Sequence, residues 1–210
     1  MAHVLITSGP TRQFIDPVRY LTNASSGYMG ACLANACLTQ GHKVTIVSGP
    51  VHLDYPAAAT VVPVITTNEM LQAATTLFAE VDGVIGVAAP CDYSPEIVSD
   101  TKLQKTGDGL TLHLRETPDV IATLGSRKRK DQWVVGFALE TDDQRFRALR
   151  KLETKCCDLI VLNGPTAMNS STNAIEILDA SGEVLLQQHD TKQNIANAIL
   201  ETIQNTLIQD

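Results

Sequence analysis

A segment rich in glycine and serine near the start of the chain contains the residues best suited to hold a phosphate. Residues 23–30 have the sequence N-A-S-S-G-Y-M-G and lead into a run of alanine and leucine that predicts a helix. Backbone N–H groups at a helix start have no intrahelical acceptor, and with nearby hydroxyls they bind phosphate without many lysines. The same residues would also fit ordinary helix capping by Ser25 or Ser26, with Gly30 allowing close packing on a strand. The segment by itself leaves both interpretations open.

Polar or glycine-containing loops follow four of the predicted strands, at residues 7–12, 90–93, 137–141 and 163–166. In open parallel sheets, ligands bind beyond the carboxyl ends of the strands, so we expect these loops to outline one crevice. Asp92 is the strongest single candidate among them, because a carboxylate at a strand end is well placed to contact ribose hydroxyls or a metal ion.

Four lysines could add positive charge to such a crevice. Lys102 and Lys105 lie in residues 90–109, which show little periodicity, and a segment of that length inside a compact domain is either disordered or functional. Lys151 and Lys155 are four residues apart on a predicted helix and therefore share a face. They also lie near its C-terminal end, where cations are favoured for structural reasons alone. Spacing does not decide between solvated and functional lysines.

The composition excludes several classes of function. The 210 residues include 16 Lys and Arg against 23 Asp and Glu, which gives a net charge of −7. That balance argues against a general nucleic-acid or membrane-surface binder, although a small anionic ligand needs only a few local cations. No apolar run approaches the roughly 20 residues that cross a bilayer, and the first residues lack a signal-peptide pattern. We expect a cytoplasmic protein without nucleic-acid or membrane partners.

The five cysteines are an odd number and contain no C-x-x-C pair. They therefore predict neither a disulfide framework nor a structural zinc site. Cys32 and Cys37 lie among alanine and leucine, and we expect them to be small core residues.

Strand and helix patterns alternate along the whole chain. A short apolar strand, a loop, a helix stopped by Gly41 and a second strand form the first crossover unit of a parallel sheet. The hairpin signal at residues 179–182 and a stripe of isoleucines near the C-terminus complete the pattern. The predicted strands are 4–7, 44–48, 61–65, 83–89, 110–114, 133–138, 159–162, 174–178 and 183–186, and the predicted helices are 27–40, 68–80 with Thr67 as N-cap, 118–124, 142–155 and 191–208. Residues 1–210 are therefore expected to form a single α/β domain: a Rossmann-like, doubly wound, mostly parallel sheet with a C-terminal antiparallel hairpin and helix.

A series of short motifs runs along the chain. They are S-G-P-T-R at 8–12, D-P-V-R-Y at 16–20, N-A-S-S-G at 23–27, A-A-P-C-D-Y at 88–93, K-L-Q-K at 102–105, P-D-V-I at 118–121, G-F-A-L-E-T at 136–141 and D-L-I at 158–160. In this order they resemble one enzyme family, the phosphopantothenoylcysteine synthetases of coenzyme A biosynthesis. The resemblance covers roughly residues 3–178, and the D-P-V-R-Y, S-S-G-x-M-G and G-F-A-x-E-T blocks in series are highly specific. The chain departs from the family pattern at Tyr28, Gln104, Leu139 and Met168.

The resemblance implies a two-step ligation. The carboxylate of 4′-phosphopantothenate attacks the α-phosphate of CTP to give an acyl-cytidylate, and the amine of L-cysteine then displaces CMP. Mg²⁺ and a few lysines would neutralise the triphosphate. Lys102 matches the loop lysine that contacts the phosphates, and Asn23 matches the asparagine of the second step, whose amide N–H would bond the acyl-cytidylate oxygen.

The same resemblance implies the binding residues and the assembly. Family members form homodimers, and the hairpin near residues 175–186 is a plausible contact. The expected nucleotide- and substrate-binding residues are Gly9, Pro10, Thr11, Ser25, Ser26, Gly27, Gly86, Val87, Ala88, Asp92, Lys102, Pro118, Asp119, Val120, Ile121, Phe137, Lys151 and Lys155.

Two other functions fit an α/β sheet of this kind. An NAD(P)-dependent reductase would need a G-x-G-x-x-G fingerprint and a Tyr-x-x-x-Lys pair, and the sequence has neither. A non-catalytic nucleotide-binding module on the same scaffold stays open. The sequence also does not decide whether the nucleotide substrate is CTP or ATP, because base recognition depends on backbone geometry.

Overall fold

The computed structural model describes residues 1–139, 142–164 and 172–208. The end of the G-F-A-L-E-T block, at residues 140–141, and Met168 lie outside the described residues. Along the chain the elements are β1 (His3–Ser8), β2 (Arg12–Phe14), β3 (Tyr20–Thr22), α1 (Tyr28–Thr39), β4 (Lys43–Ser48), β5 (Thr60–Pro63), α2 (Thr67–Phe78), β6 (Gly83–Gly86), β7 (Tyr93–Pro95), β8 (Leu114–Glu116), α3 (Val120–Arg127), β9 (Trp133–Leu139), α4 (Gln144–Thr154), β10 (Leu159–Asn163), β11 (Thr172–Asp179), β12 (Val184–Thr191) and α5 (Lys192–Leu207).

One large sheet organises these elements. Its strand order is β12-β11-β10-β9-β6-β1-β4-β5, and the pairs from β10 to β5 are all parallel. The hairpin of β11 and β12 adds two antiparallel strands at one edge. The predicted fold class is confirmed, including the C-terminal hairpin and helix.

Helices cover both faces of this sheet. On one face α1 and α5 pack on a core that includes Leu33 and the α5 stripe of Ile195, Ile199 and Ile203, all fully buried. On the other face α2, α3 and α4 bury residues such as Met70 and Leu124. Cys32 and Cys37 also belong to the first core, as their apolar surroundings predict. The apolar spacing that predicted a covering C-terminal helix therefore identified the correct buried face.

The five predicted helices all begin within two residues of the predicted starts, and at α2 and α3 a side-chain cap explains the difference. The N-cap of α2 is Thr66 rather than Thr67, because Thr66 and Glu69 form a capping box in which each side chain bonds the other's backbone N–H. The helix α3 begins at Val120 rather than at residue 118. Its N-cap is Asp119, whose carboxylate accepts a hydrogen bond from the Ala122 N–H at 2.9 Å. In both cases a local side-chain cap sets the boundary.

Several strands differ from the sequence-based predictions. The pair β2–β3 lies in a segment where no strand was predicted, and β7 lies inside residues 90–109, whose sequence shows little periodicity. The strand predicted at 110–114 is β8 at Leu114–Glu116, and the strand predicted to run from 83 to 89 ends at Gly86. Three-residue strands that pair only with each other are too short to show an alternating pattern.

Among the described residues, no helix is both long and apolar enough to cross a bilayer.

Gly30 gives a direct test of the packing between α1 and β1. A Cβ built at Gly30 would collide with the Ser8 hydroxyl, which itself bonds the Gly27 carbonyl and the Tyr55 hydroxyl. Gly30→Ala should lower the free energy of unfolding by about 1–3 kcal/mol, as overpacking does, measured by urea denaturation. Helix propensity alone favours alanine by about 0.5–1 kcal/mol, so a stabilised variant would show that this contact relaxes. Gly109→Ala is the matched control, because its Cβ would meet nothing within 4 Å.

Candidate functional site

A crevice of about 300 Å³ lies over the carboxyl ends of β1, β6 and β9. Thr7 of β1 pairs in register with Gly86 of β6, which in turn pairs with Gly136 of β9, and all three residues line the crevice. The chain passes from β1 to β4 on one side and returns to β6 on the other, so the strand order reverses at this point. A reversal of this kind is where open α/β sheets bind their ligands.

Half of the predicted binding residues line this crevice. They share a location at the ends of β6 and β9, at the start of α3 and at the end of α4, and they are Gly86, Ala88, Asp92, Pro118, Asp119, Val120, Ile121, Phe137 and Lys155. Thr7, Pro90 and Tyr93 also line it; they belong to the loops at 7–12 and 90–93 that were expected to outline the crevice, although they were not among the predicted binding residues. The lining residues that were not predicted at all are Glu116, Thr117, Gly136 and Ile160. Of these, Glu116 and Thr117 directly precede the predicted turn at 118–121, and that adjacency was the one available signal.

Lys155 and Asp119 form an ion pair inside the crevice. The Lys155 Nζ lies 2.9 Å from Asp119 Oδ2, while Asp119 Oδ1 caps α3. Lys155 is the C-cap of α4, and the approach of the two helices depends on Gly125, where an added Cβ would collide with the Lys155 carbonyl. Lys151 lies one turn earlier, is half-buried and is not among the lining residues. The structure therefore brings only Lys155 of the predicted lysine pair to the crevice.

The two roles of Asp119 can be separated by substitution. Asp119→Ala removes both the cap and the ion pair and should lower the free energy of unfolding by about 1 kcal/mol, which is typical of a lost N-cap. Asp119→Asn removes only the charge, and because Asn caps helices well it should cost less than half as much. Urea denaturation of both variants measures the difference. Equal losses would mean that the ion pair, rather than the cap, stabilises this end of α3.

Asn23 reaches the rim of the crevice from the end of β3. Its Nδ2 donates to the Ala89 carbonyl at 3.2 Å and to the Pro90 carbonyl at 2.8 Å. Both amide hydrogens of Asn23 are therefore in use. Its Oδ1 accepts no hydrogen bond from any of the described residues. Donation to an acyl oxygen, the role that the family resemblance implies, requires one of these bonds to be exchanged, whereas Oδ1 can accept directly from an approaching amine.

The predicted phosphate loop lies beside the crevice rather than in its lining. Gly27 is the N-cap of α1 in the left-handed region (φ 75°), and no side chain caps the helix there. The Ser25 and Ser26 hydroxyls accept from the Gly27 and Tyr28 N–H groups only at 3.4 Å. The structure therefore does not show ordinary capping by a serine at the N-cap position, which was one of the two interpretations of this segment.

The residues after β1 connect this loop to the crevice. The Gly9 carbonyl accepts from the Ala89 N–H at 2.9 Å, and Pro10 forms a bridge with Ala89. Thr11 is fully buried and its hydroxyl bonds Thr67 and the Cys91 N–H. Gly9, Pro10 and Thr11 therefore support the rim of the crevice without lining it. Val87 also lies close to the rim and is not a lining residue.

Lys102 lies on the connection between β7 and β8. Tyr93 and Glu116, which pair across these two strands, both line the crevice, so the connection leaves the crevice and returns to it. Lys102 itself is exposed and is not among the lining residues. The backbone of the next residue, Leu103, is bonded to Asp16 and Arg19.

Comparison with known proteins gives a consistent result. The family model described as the DNA/pantothenate metabolism flavoprotein C-terminal domain matches residues 1–207. The chain is 40% identical over 206 residues to the coenzyme A biosynthesis bifunctional protein CoaBC of Bacillus subtilis, a match that covers 96% of this chain and 50% of the relative. The chain thus spans about half the length of the curated relatives that it matches.

Solved structures show the same fold. A crystal structure of the C-terminal domain of a CoaBC protein superposes with a TM-score of 0.85 at 36% identity, covering 99% of this chain and 96% of that one. A Cab2 mutant in complex with phosphopantothenate-cysteine superposes with a TM-score of 0.80 at 16% identity, covering 97% and 86% of the two chains. At that identity the second likeness supports the fold alone.

Proposed function

Because the chain belongs to the DNA/pantothenate metabolism flavoprotein C-terminal domain family, we propose that it is a phosphopantothenate–cysteine ligase that uses CTP. The observation that carries this proposal is the crevice at the reversal of strand order, which gathers Asp92, Phe137, Lys155 and residues 118–121 from four separate parts of the chain. Several curated relatives that match nearly the whole chain are named for coenzyme A biosynthesis, and the motif series resembles the ligase of that route.

The nucleotide would lie along the crevice. The Phe137 ring offers an apolar surface for the base, and Asp92 offers a carboxylate for the ribose hydroxyls. Lys155 would exchange its ion pair with Asp119 for a phosphate oxygen, which is a charge-assisted hydrogen bond of similar type. Base selection would rest on backbone groups near residues 86–88, and CTP is the nucleotide that the family resemblance favours over ATP.

In the first step a carboxylate oxygen of 4′-phosphopantothenate attacks the α-phosphorus of CTP, and the bond to the pyrophosphate oxygen breaks. Mg²⁺ bound with the triphosphate would neutralise part of its charge. Glu116 also lines the crevice, and its carboxylate would be available to such an ion, because carboxylate oxygens are ligands that Mg²⁺ prefers beside substrate phosphates. Lys102 would supply a further positive charge as the leaving pyrophosphate forms.

In the second step the amine of L-cysteine attacks the acyl carbon, an amide bond forms and CMP leaves with the electrons of the broken acyl–oxygen bond. The attacking nitrogen loses a proton to solvent, and Asn23 Oδ1 would orient the amine by accepting a hydrogen bond from its N–H. This role needs Asn23 at the rim, where its amide is bonded to the Ala89 and Pro90 carbonyls. We propose that the reaction takes place in the cytoplasm.

A homodimer is a further part of this proposal. Among the described strands, β12 is the outermost at the hairpin edge of the sheet, and in such a dimer its outward backbone groups would pair with a second copy. Light scattering after size exclusion at several concentrations would measure twice the chain mass for a dimer and the chain mass for a monomer.

The function is tested by incubating the protein with 4′-phosphopantothenate, L-cysteine, Mg²⁺ and CTP, with ATP and GTP in parallel. We expect equimolar pyrophosphate, CMP and phosphopantothenoylcysteine, the last two measured by mass spectrometry. Nucleotide binding without pyrophosphate would support a non-catalytic module, and oxidation of NAD(P)H would support a reductase. Faster turnover with ATP than with CTP would overturn the proposed nucleotide but not the ligation.

A further inference from the structure

The turn between β2 and β3 is tied to a distant segment through one buried carboxylate. Asp16 Oδ1 accepts from the backbone N–H groups of Val18 and Arg19, each at 2.8 Å, which closes the turn. Asp16 Oδ2 accepts from Arg19 Nε at 2.9 Å and from the Leu103 N–H at 3.2 Å. The Arg19 guanidinium also donates to the Leu103 carbonyl at 2.8 Å. Both backbone groups of Leu103 are therefore held, and we refer to Asp16, Arg19 and the Leu103 backbone as the clasp.

The clasp stays charged over the pH range in which the protein would be assayed. The hydrogen bond from the Arg19 side chain holds the pKa of Asp16 well below its usual range, helped by backbone N–H groups and opposed by burial. A carboxylate with a lowered pKa remains ionised above that value, so its contribution is lost only as the pH falls through it. Mild acidification to pH 5 should leave the clasp closed.

The held residue directly follows Lys102. The connection between β7 and β8 has no regular structure from residue 96 to residue 113, so its backbone conformation depends on contacts of this kind. Holding Leu103 at both its N–H and its C=O removes much of the conformational freedom of its neighbour. Asn23 directly follows β3, the second strand of the same hairpin. The β2–β3 hairpin therefore has Asn23 at its end, and its turn holds Leu103, the residue next to Lys102.

We propose that Asp16 is a positioning residue for Lys102: through the clasp it fixes the backbone from which that lysine reaches the triphosphate. The kinetic part of this inference rests on the proposed ligase function. Asp16 touches no substrate in this account, and it acts only through the place at which Lys102 leaves the backbone.

A double-mutant cycle tests that relation. Lys102→Gln should reduce pyrophosphate release by more than tenfold in the otherwise unchanged protein, but by less than threefold when Asp16→Asn is already present. Such non-additivity is expected of two residues that act as one unit. Losses that simply multiply would show that Asp16 acts independently of Lys102 and would overturn the proposal.

Asp131→Asn is the matched control. Asp131 also pairs with an arginine two residues away, at 3.1 Å from Arg129 Nε, and that pairing likewise lowers its pKa. It lies away from the crevice and should leave both activity and the effect of Lys102→Gln unchanged. If the double-mutant cycle of Asp131→Asn with Lys102→Gln were as non-additive as the cycle with Asp16→Asn, the coupling between Asp16 and Lys102 would be unspecific.

Amide hydrogen exchange at Leu103 tests the clasp without reference to any reaction. Asp16→Asn should speed exchange of the Leu103 N–H at least tenfold while the core strand β1 stays protected. Unchanged exchange at Leu103 would overturn the proposal even if activity fell. If the unsubstituted protein released no pyrophosphate, the proposed function would fail, the role of Asp16 in catalysis would fall with it, and exchange would still decide whether the clasp exists.

A second variant covers the case in which Asp16→Asn does not fold. Arg19→Lys keeps a cation beside the buried Asp16 carboxylate, but it removes the guanidinium group that donates to the Leu103 carbonyl. It should speed Leu103 exchange and show the same non-additivity with Lys102→Gln. A fully active Arg19→Lys variant with unchanged Leu103 exchange would contradict the proposal.

Discussion

Lys102→Gln should lower the rate of pyrophosphate release by more than tenfold in the presence of CTP, Mg²⁺ and 4′-phosphopantothenate. A hydrogen bond from an ammonium to a phosphate contributes about 1.5–3 kcal/mol, and glutamine keeps a polar, slightly shorter side chain but loses the charge. Lys102 lies on the connection that begins and ends at crevice-lining residues, Tyr93 and Glu116, and we propose that its side chain approaches the triphosphate from there. Single-turnover measurement of pyrophosphate isolates the first step.

Lys105→Gln is the matched control for this prediction. Lys105 is an exposed lysine in the same connection, and the clasp holds Leu103, which is adjacent to Lys102 and not to Lys105. The control variant should therefore retain at least half of the rate. Equal losses in the two variants would mean that the connection contributes only a general positive potential, and an unchanged rate in Lys102→Gln would remove that lysine from the mechanism.

Asn23→Ala should release pyrophosphate in a single turnover at close to the usual rate and then accumulate the acyl-cytidylate. We expect the formation of phosphopantothenoylcysteine to fall by about a hundredfold, which is typical of losing one polar group that acts on the reacting atoms. Mass spectrometry of the quenched reaction would detect the intermediate directly.

Two outcomes would contradict this role for Asn23. Normal product formation would remove it from the mechanism, and loss of pyrophosphate release would place it in the first step instead. Asn35→Ala serves as the control, because Asn35 is an exposed residue of α1 whose amide bonds Gln193, away from the crevice. It should react at the usual rate in both steps.

The alternation of strands and helices predicted the architecture because its signals are local. The Ile195, Ile199 and Ile203 stripe fixed the buried face of α5, and Gly41 ended α1 with a positive φ of 80°. The crevice could also be predicted, since the rule that ligands bind at the carboxyl ends of parallel strands needs only the strand order. Asp92 and Phe137 were found in this way.

Long-range contacts were beyond such prediction. The carboxylate of Asp16 and the N–H of Leu103 are 87 positions apart, and no pattern in either segment indicates the other. The burial of the Thr11 hydroxyl against Thr67 is of the same kind, since a threonine in a loop after a strand looks equally suited to a ligand. The short strands β2, β3, β7 and β8 are stabilised by pairing with each other, which their sequences are too short to reveal.

A crystal structure of the protein grown with CTP and Mg²⁺ would test the central claim most directly. We predict the base beside Phe137, the ribose at Asp92 and the phosphates within hydrogen-bond distance of Lys155, all above the ends of β1, β6 and β9. A nucleotide bound at any other surface, with this crevice empty, would contradict the account.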